Sequence, residues 1–304
     1  MQSALSPAGP AARDIASLTT LLTIGASLIL LLVMGLLLYG ARREPAPVST
    51  GLWVVGGGLA FPVIVLFALF LYGARVTNTV MAPPPPGALR IEVEGRQWWW
   101  EVRYPGAAGT PVVGANELHV PIGTAVEVIV TSPDVIHSFW VPSLGGKMDM
   151  TPGQPARLAL HAERPGVYRG QCAEYCGIQH AQMALLVIAE PPEAFEAWVR
   201  AEAAPAQAPA EGDPARGLAV FMAQGCAGCH TIRGTAARGD LGPDLTHLAG
   251  RRTLAAGSLP NDAGAIRAWL AAGSALKPGN RMPSYAHLDA ASLDALTAYL
   301  AALR

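Results

Sequence analysis

The chain has 304 residues, enough for two ordinary domains, and a net charge of −1, which gives no reason to expect a nucleic-acid partner. Hydrophobic residues make up 51% and charged residues only 14%, a balance that argues against an ordinary soluble protein and for a membrane one. After a polar N-terminal segment (1–16), residues 17–40 and 51–74 carry no charge at all. Each run is about 36 Å long as a helix, enough to cross a roughly 30 Å hydrocarbon core. They are read as two transmembrane helices, 17–40 and 51–75. Gly56, Gly57, Gly58 and Pro62 fit a membrane better than a soluble helix. No small-residue cleavage site follows the first run, so a signal peptide is not expected. The connecting loop, 41–50, holds Arg42 and Arg43, which the positive-inside rule places in the cytoplasm. Both termini, and everything after residue 75, are then expected outside it.

A proline-rich spacer occupies 76–87. From 88 to 200, short segments such as LRIEVEG, TAVEVIVTS, GVYRGQC and ALLVIAE show β-branched enrichment between Gly/Pro turns, the pattern of an antiparallel sandwich or barrel. PPEAFEAWVRAEA reads as a short helix closing that domain, and 201–212 is an Ala/Pro linker. Residues 213–304 change to helical spacing in DPARGLAVFMAQGC, NDAGAIRAWLAAG and DAASLDALTAYLAALR, with Asp near the starts. No internal repeat is visible.

The four cysteines fall in two pairs, one per extramembrane domain. Cys226 and Cys229 lie in CAGCH, the attachment signature of c-type haem, with His230 as the adjacent iron ligand. Met282 is the only methionine after His230, and His/Met ligation suits an electron carrier. A redox disulfide would leave His230 and Met282 unexplained, and a zinc site lacks a second cysteine pair in this domain. His247 and His287 are expected to be ordinary histidines.

The other pair lies in CAEYCGIQHAQM, where Cys172, Cys176, His180 and Met183 fall within twelve residues; SPDVIH supplies a further imidazole at His137. These soft donors favour copper over calcium or magnesium. Tetrahedral zinc leaves Met183 idle, and a mononuclear blue-copper site leaves one cysteine spare. A dinuclear copper centre uses every group, with the carbonyl of Glu174 as a further donor.

C-x-E-x-C-G-x-x-H-x-x-M with the upstream D-V-x-H-S resembles the CuA domain of cytochrome c oxidase subunit II, a cupredoxin-like Greek-key fold. The two-helix hairpin, GRQWWWEVRYP and SPDVIHSFWVPSLGGKMDMTPG fit the same family. QSALSPAGPAA resembles the family's mature N-terminus. Residues 213–304 resemble a class I cytochrome c, with GPDL after CAGCH and Met282–Pro283 as the distal ligand. The whole chain is therefore similar to the fused subunit II of caa-type haem-copper oxidases. The resemblance implies dinuclear copper on His137, Cys172, Glu174 (carbonyl), Cys176, His180 and Met183. It implies covalent haem c on Cys226, Cys229, His230 and Met282, and magnesium on the Glu174 side chain where subunit I is met. Trp98 is the implied point where electrons enter from haem c; packing is the competing role for Trp98, Trp99 and Trp100. His119 and His161 match no ligand position and are expected at the surface; Met148 and Met150 are expected to pack.

The implied function is electron input to a respiratory cytochrome c oxidase of a bacterial plasma membrane, coupled to proton translocation. The implied partners are subunits I and III, the bilayer, and a cytochrome c or bc-type complex as donor. This chain lacks the histidine clusters an oxygen-reducing site needs. The glutamate that opens the second transmembrane helix in many members is missing, so no residue here is given a proton-uptake role. The alternatives are a CuA subunit of a nitric oxide reductase, a membrane-tethered electron carrier, and a copper chaperone or sensor.

Overall fold

The computed structural model describes the whole chain except residues 1, 45, 46, 48, 107, 108 and 210. Two helices leave the body of the protein. The first, α1 (Pro10–Arg42), places Leu28, Leu30, Leu31 and Leu37 on an exposed surface. Its hydroxyls are satisfied within the helix: Thr19, Thr20, Thr23 and Ser27 each donate to the carbonyl four residues back. Such pairing leaves no unmet donor facing lipid. The second begins as a π-helix, Gly51–Ala60, and continues as α2 (Phe61–Val80). Phe61 N–H bonds to Gly56 O, the wider i to i−5 spacing, just after three consecutive glycines. Neither helix buries its most apolar stretch against the rest of the chain. Surfaces this apolar are stable only in lipid or against another subunit.

The β domain is built from β1 (Leu89–Arg96), β2 (Trp99–Tyr104), β3 (Val112–Ala115), β4 (Glu117–Pro121), β5 (Ala125–Thr131), β6 (His137–Trp140), β7 (Met148–Met150), β8 (Ala156–His161), β9 (Gly166–Cys172) and β10 (Ala184–Glu190). The described residues form two five-stranded sheets, β3-β2-β1-β5-β8 and β4-β10-β9-β6-β7. Most pairs are antiparallel, but β1–β5 and β4–β10 are parallel, so the sandwich is mixed. Parallel neighbours need crossovers between the sheets, as a Greek key provides. Between the sheets lie Ile91, Val93, Trp100, Val102, Val128, Leu118, Phe139, Leu185 and Val187, all almost fully buried. α3 (Pro192–Ala203) closes one end with Phe195 and Trp198 packed on Tyr104.

The C-terminal domain holds α4 (Asp213–Ala223), α5 (Ala263–Leu276) and α6 (Ala290–Ala302), with a small ribbon of β11 (Thr253–Leu254) and β12 (Leu259–Pro260). Asp262 and Asp289 accept from Ala265 N–H and Ser292 N–H, so both cap their helices. α4 crosses α6 at Gly217, where an added Cβ would lie 2.1 Å from the Ala295 carbonyl oxygen. Only a residue without a side chain allows that approach.

The triple tryptophan run divides differently from simple strand alternation. Trp98 precedes β2 and stands half-exposed, Trp100 fills the sandwich core, and Trp99 is buried with Ala115 and Ala256. Ala256 belongs to the C-terminal domain, so the outer face of β2 is covered by the second domain rather than by water.

Candidate metal centres

Three connections meet at one end of the sandwich. The β1–β2 turn carries Gln97 and Trp98, the β5–β6 loop leads to His137, and the β9–β10 loop carries residues 172–183. Cys172 ends β9, with its amide bonded to Met183 O; Ala173 N–H bonds to Ser138 O. These ladder bonds fix the loop at both ends.

The donors converge. Cys172 Sγ and Cys176 Sγ are 3.7 Å apart, far beyond a disulfide bond of about 2.05 Å. His137 Nδ1 is 3.9 Å from Cys172 Sγ, and His180 Nδ1 is 3.8 Å from Cys176 Sγ. Met183 Sδ is 3.8 Å from Cys176 Sγ, and the Glu174 carbonyl is 3.1 Å from Cys172 Sγ. His137, Cys172, Cys176 and Met183 are buried. Two donors on one metal at about 2.0–2.3 Å stand roughly 3.3–3.8 Å apart in tetrahedral geometry, so these side chains fit a metal site as they stand. The Cys172 thiol is pushed down by the hydrogen bond from Cys176, despite burial; Cys176, which gives that bond, is pushed up. One proton is therefore already easy to displace, as thiolate ligation requires.

Asp134 orients the site. Its Oδ1 lies 2.8 Å from His137 Nε2, which leaves Nδ1 free to face the sulfurs. Burial would raise the Asp134 pKa, but hydrogen bonds from His137, Gln97 N–H and Val135 N–H hold it down to about 2. The Cys176 carbonyl accepts from both Trp98 Nε1 and Gln97 Nε2, each at 2.9 Å. Sequence reasoning missed Asp134 and Gln97. An acid three residues before the candidate histidine in a loop was the available signal for the first; the second had none, since its contact spans 79 residues.

Across the domain boundary lies a cleft of about 670 Å³, within the range of cofactor pockets. Cys226, Cys229, His230, Met282, Phe221 and Tyr285 line it on one side, and Trp98 and Trp99 on the other. His230 Nδ1 bonds to Pro243 O at 2.7 Å, which leaves its other ring nitrogen free. Burial lowers the His230 pKa, favouring the neutral ring an iron ligand must have. A Cβ on Gly242 would lie 2.6 Å from that ring, so the glycine makes room for it. Asn280 also lines the cleft, and its buried Nδ2 has no hydrogen-bond partner. These features fit a haem.

The remaining candidates are placed apart. The Glu174 side chain is half-exposed, 3.5 Å from Lys147 Nζ. His247 bonds to Ala204 O and His287 to Gln224 Oε1; neither lines the cleft itself, though Gln224 does. His119 is not at the surface: it is buried, stacked on Trp198 at 3.8 Å with Nδ1 on Glu190. The aromatic Trp198 on α3 covers a position that strand alternation alone would leave open. His161 is half-buried, and Met150 is fully buried in the core.

A cupredoxin-like sandwich with a two-cysteine, two-histidine loop cluster, anchored by two apolar helices and followed by a cytochrome domain, defines a membrane-bound electron-transfer subunit. The family of cytochrome c oxidase subunit II periplasmic domains matches residues 110–190, and the cytochrome c family matches 214–304. Cytochrome c oxidase subunit 2 of Alkalihalophilus pseudofirmus is 33% identical over 99% of this chain and 90% of its own length. That of Bacillus subtilis is 32% identical over 71% of this chain and 63% of its own length. The crystal structure of the periplasmic domain of the Bradyrhizobium japonicum oxidase subunit II is 31% identical and covers 39% of this chain and 95% of that one, with a TM-score of 0.37. The chain belongs to the cytochrome c oxidase subunit 2 family. It is an electron-input subunit of a cytochrome c oxidase, with a copper-type cupredoxin domain and a haem-type cytochrome domain, and it works with a subunit I.

Proposed function

We propose that the chain takes electrons at a covalent haem c and passes them to a dinuclear CuA centre, from which they reach subunit I for reduction of oxygen coupled to proton translocation. In this reading Cys226 and Cys229 would hold the haem, His230 and Met282 would ligate its iron, and His137, Cys172, Glu174 O, Cys176, His180 and Met183 would hold the two coppers. When bound, these groups would supply one-electron redox chemistry, and the chain's own residues would fix their positions.

The observation that carries the reading is how the histidines divide between the sulfurs. Ligand atoms of His137, Cys172 and Cys176 all lie within 4.8 Å of one another, a group that His180 does not join. A single tetrahedral zinc would need all four donors within about 4 Å of each other. Instead His137 approaches one sulfur and His180 the other, a division of donors that would suit two ions better than one. Trp98 supports the path: it lines the haem cleft while its indole N–H bonds to the carbonyl of Cys176.

The same reading assigns 1–16 to an extracytoplasmic segment, 17–40 and 51–75 to membrane helices, 88–200 to the CuA domain and 213–304 to the haem domain. Contacts of the N-terminal segment support that topology. Ala8 N–H bonds to Ser143 O, and Glu163 N–H to Ala8 O, so the start of the chain sits on the β domain and both lie on one side of the membrane. The half-exposed Glu174 carboxylate, whose own carbonyl faces Cys172, is assigned to magnesium at the subunit I boundary. The donor is a cytochrome c or a bc-type complex, and subunit III completes the assembly.

Trp98→Phe deletes the bond to Cys176 O without touching a metal donor. Haem-to-copper transfer should slow while copper content holds at two per chain; one zinc per chain, or unaltered transfer kinetics, would defeat the corresponding part of the reading.

A further inference from the structure

We propose that segment 277–282 is an intramolecular docking clamp that seats the haem domain on the copper domain, with Lys277 as its positioning residue. The clamp rests on the electron path proposed above and adds the residues that hold its two halves in register.

Lys277 follows α5 and is only 4% exposed. Its ammonium donates to Gln182 O at 3.0 Å, Ala255 O at 3.0 Å and Trp98 O at 3.3 Å. An ammonium has three donors, and all three are used. Two of the carbonyls belong to the β domain. One precedes Met183 in sequence, and the other is the backbone of the tryptophan bonded to Cys176. Among the described residues no carboxylate lies within ion-pair distance of Lys277. A lysine normally extends its charge into water, and a buried one without a counter-ion is held only where other dipoles replace its hydration. Burial pushes the Lys277 pKa down to about 8, which reflects that cost. A residue so placed ties three backbone segments to one point.

The next five residues extend the contact. Gly279 has φ +82°, and a Cβ there would lie 2.5 Å from Ile178 of the copper loop. Arg281 donates to Gln97 Oε1 at 2.7 Å, and its guanidinium lies 5.9 Å from the centre of the Trp98 ring. Met282, the proposed iron ligand, comes next and lines the cleft. One short segment thus carries the distal ligand and touches Gln97, Trp98, Ile178 and Gln182. Other contacts hold the domains elsewhere, such as Arg252 N–H on Glu117 Oε1 at 2.6 Å. The clamp therefore sets the register of the two sites rather than the association of the domains as such.

The test uses the full chain loaded with copper and haem. The step followed is a one-electron transfer: reduced haem c loses an electron, the oxidised copper pair gains it, and no bond or proton moves. Lys277→Met and Arg281→Gln are compared with the unaltered chain after flash photoreduction of the haem. Expected are unchanged haem and copper spectra, unchanged reduction of the haem by an external cytochrome c, and an intramolecular rate roughly tenfold or more lower for Lys277→Met, which removes all three bonds from the ammonium. Arg281→Gln, at an exposed position, should slow the same step by less. Wild-type intramolecular rates in both variants would overturn the clamp. So would a loss confined to the external reaction, which would make the segment a donor-docking surface. If Lys277→Met fails to fold, Arg281→Gln decides alone, by the same two outcomes. Absence of intramolecular transfer in the unaltered chain would overturn the electron path and the clamp together, so the two failures are distinguishable.

Discussion

Asp134→Asn is the substitution that most directly probes how the copper loop is held. The carboxylate accepts from His137 Nε2 at 2.8 Å and Val135 N–H at 2.7 Å through Oδ1, and from Gln97 N–H at 2.8 Å through Oδ2. An amide has one acceptor oxygen where the carboxylate has two. If its oxygen takes the Oδ1 position, the new NH₂ faces the Gln97 N–H and that bond is lost. If it takes the other, two bonds are lost, so the first orientation wins. The His137 bond then survives but is no longer charge-assisted, which roughly halves its strength. His137 becomes a weaker base and is less firmly aimed at Cys172. Loss of such an outer partner typically costs about 10–100-fold in metal affinity, or about 1.4–2.7 kcal/mol. Copper competition against a chelator of known affinity, on the full-length detergent-solubilised chain, measures this, with the haem band as the control for folding. Affinity within about twofold of the unaltered chain would refute the assignment of Asp134 as the group that orients His137.

Met282→Ala should lower the haem potential and remove any methionine–iron absorption band, read by redox titration; an unchanged spectrum would eliminate Met282 as the ligand. Gly217→Ala inserts a methyl at 2.1 Å from the Ala295 carbonyl oxygen and 2.5 Å from Tyr299 Cβ, forcing α4 and α6 apart. Overpacking of this kind costs about 1–3 kcal/mol. The thermal midpoint of the haem domain should fall by at least ~4 °C, followed at the haem band, and a midpoint within ~1 °C would contradict the crossing. Cys172→Ser removes one of the two sulfurs that a copper pair would share, so bound copper should drop well below two per chain by metal analysis; retention of both ions would require a different bridge.

Much of this was legible in the sequence because it is local. CAGCH and CAEYCGIQHAQM place most donors within a few residues, and the helical and strand-like periods around them are regular. The Asp caps of α5 and α6 were readable for the same reason. What escaped reading is non-local. The short strands β3 and β7 have too few residues to show a period. The parallel pairing of β1 with β5 depends on crossovers that alternation does not encode. His119 was misplaced because its cover, Trp198, lies on a helix far along the chain. Lys277 has no sequence signature: its three carbonyls come from residues 98, 182 and 255, and only the docked domains bring them together.

The placement of the donors bears on how electrons would move. Three of the copper candidates sit at or next to a strand end, so their positions follow from the sandwich core: His137 opens β6, Cys172 closes β9, and Met183 immediately precedes β10. Those strands are tied to one another, Phe139 opposite Cys172 and Ala184 opposite Gln171. A change of charge at the metal cannot easily move ligands held this way, because a packed core resists small displacements. The haem ligands are held differently. His230 is fixed by Pro243 O, but Met282 lies on a loop that the docked domain itself helps to secure through Gln97 and Trp98. Restraint at the copper end is thus intrinsic to the β domain, whereas restraint at the distal side of the haem depends on the contact between domains. Perturbing that contact should therefore change the register of the two sites, and the rate between them, before it displaces a copper donor.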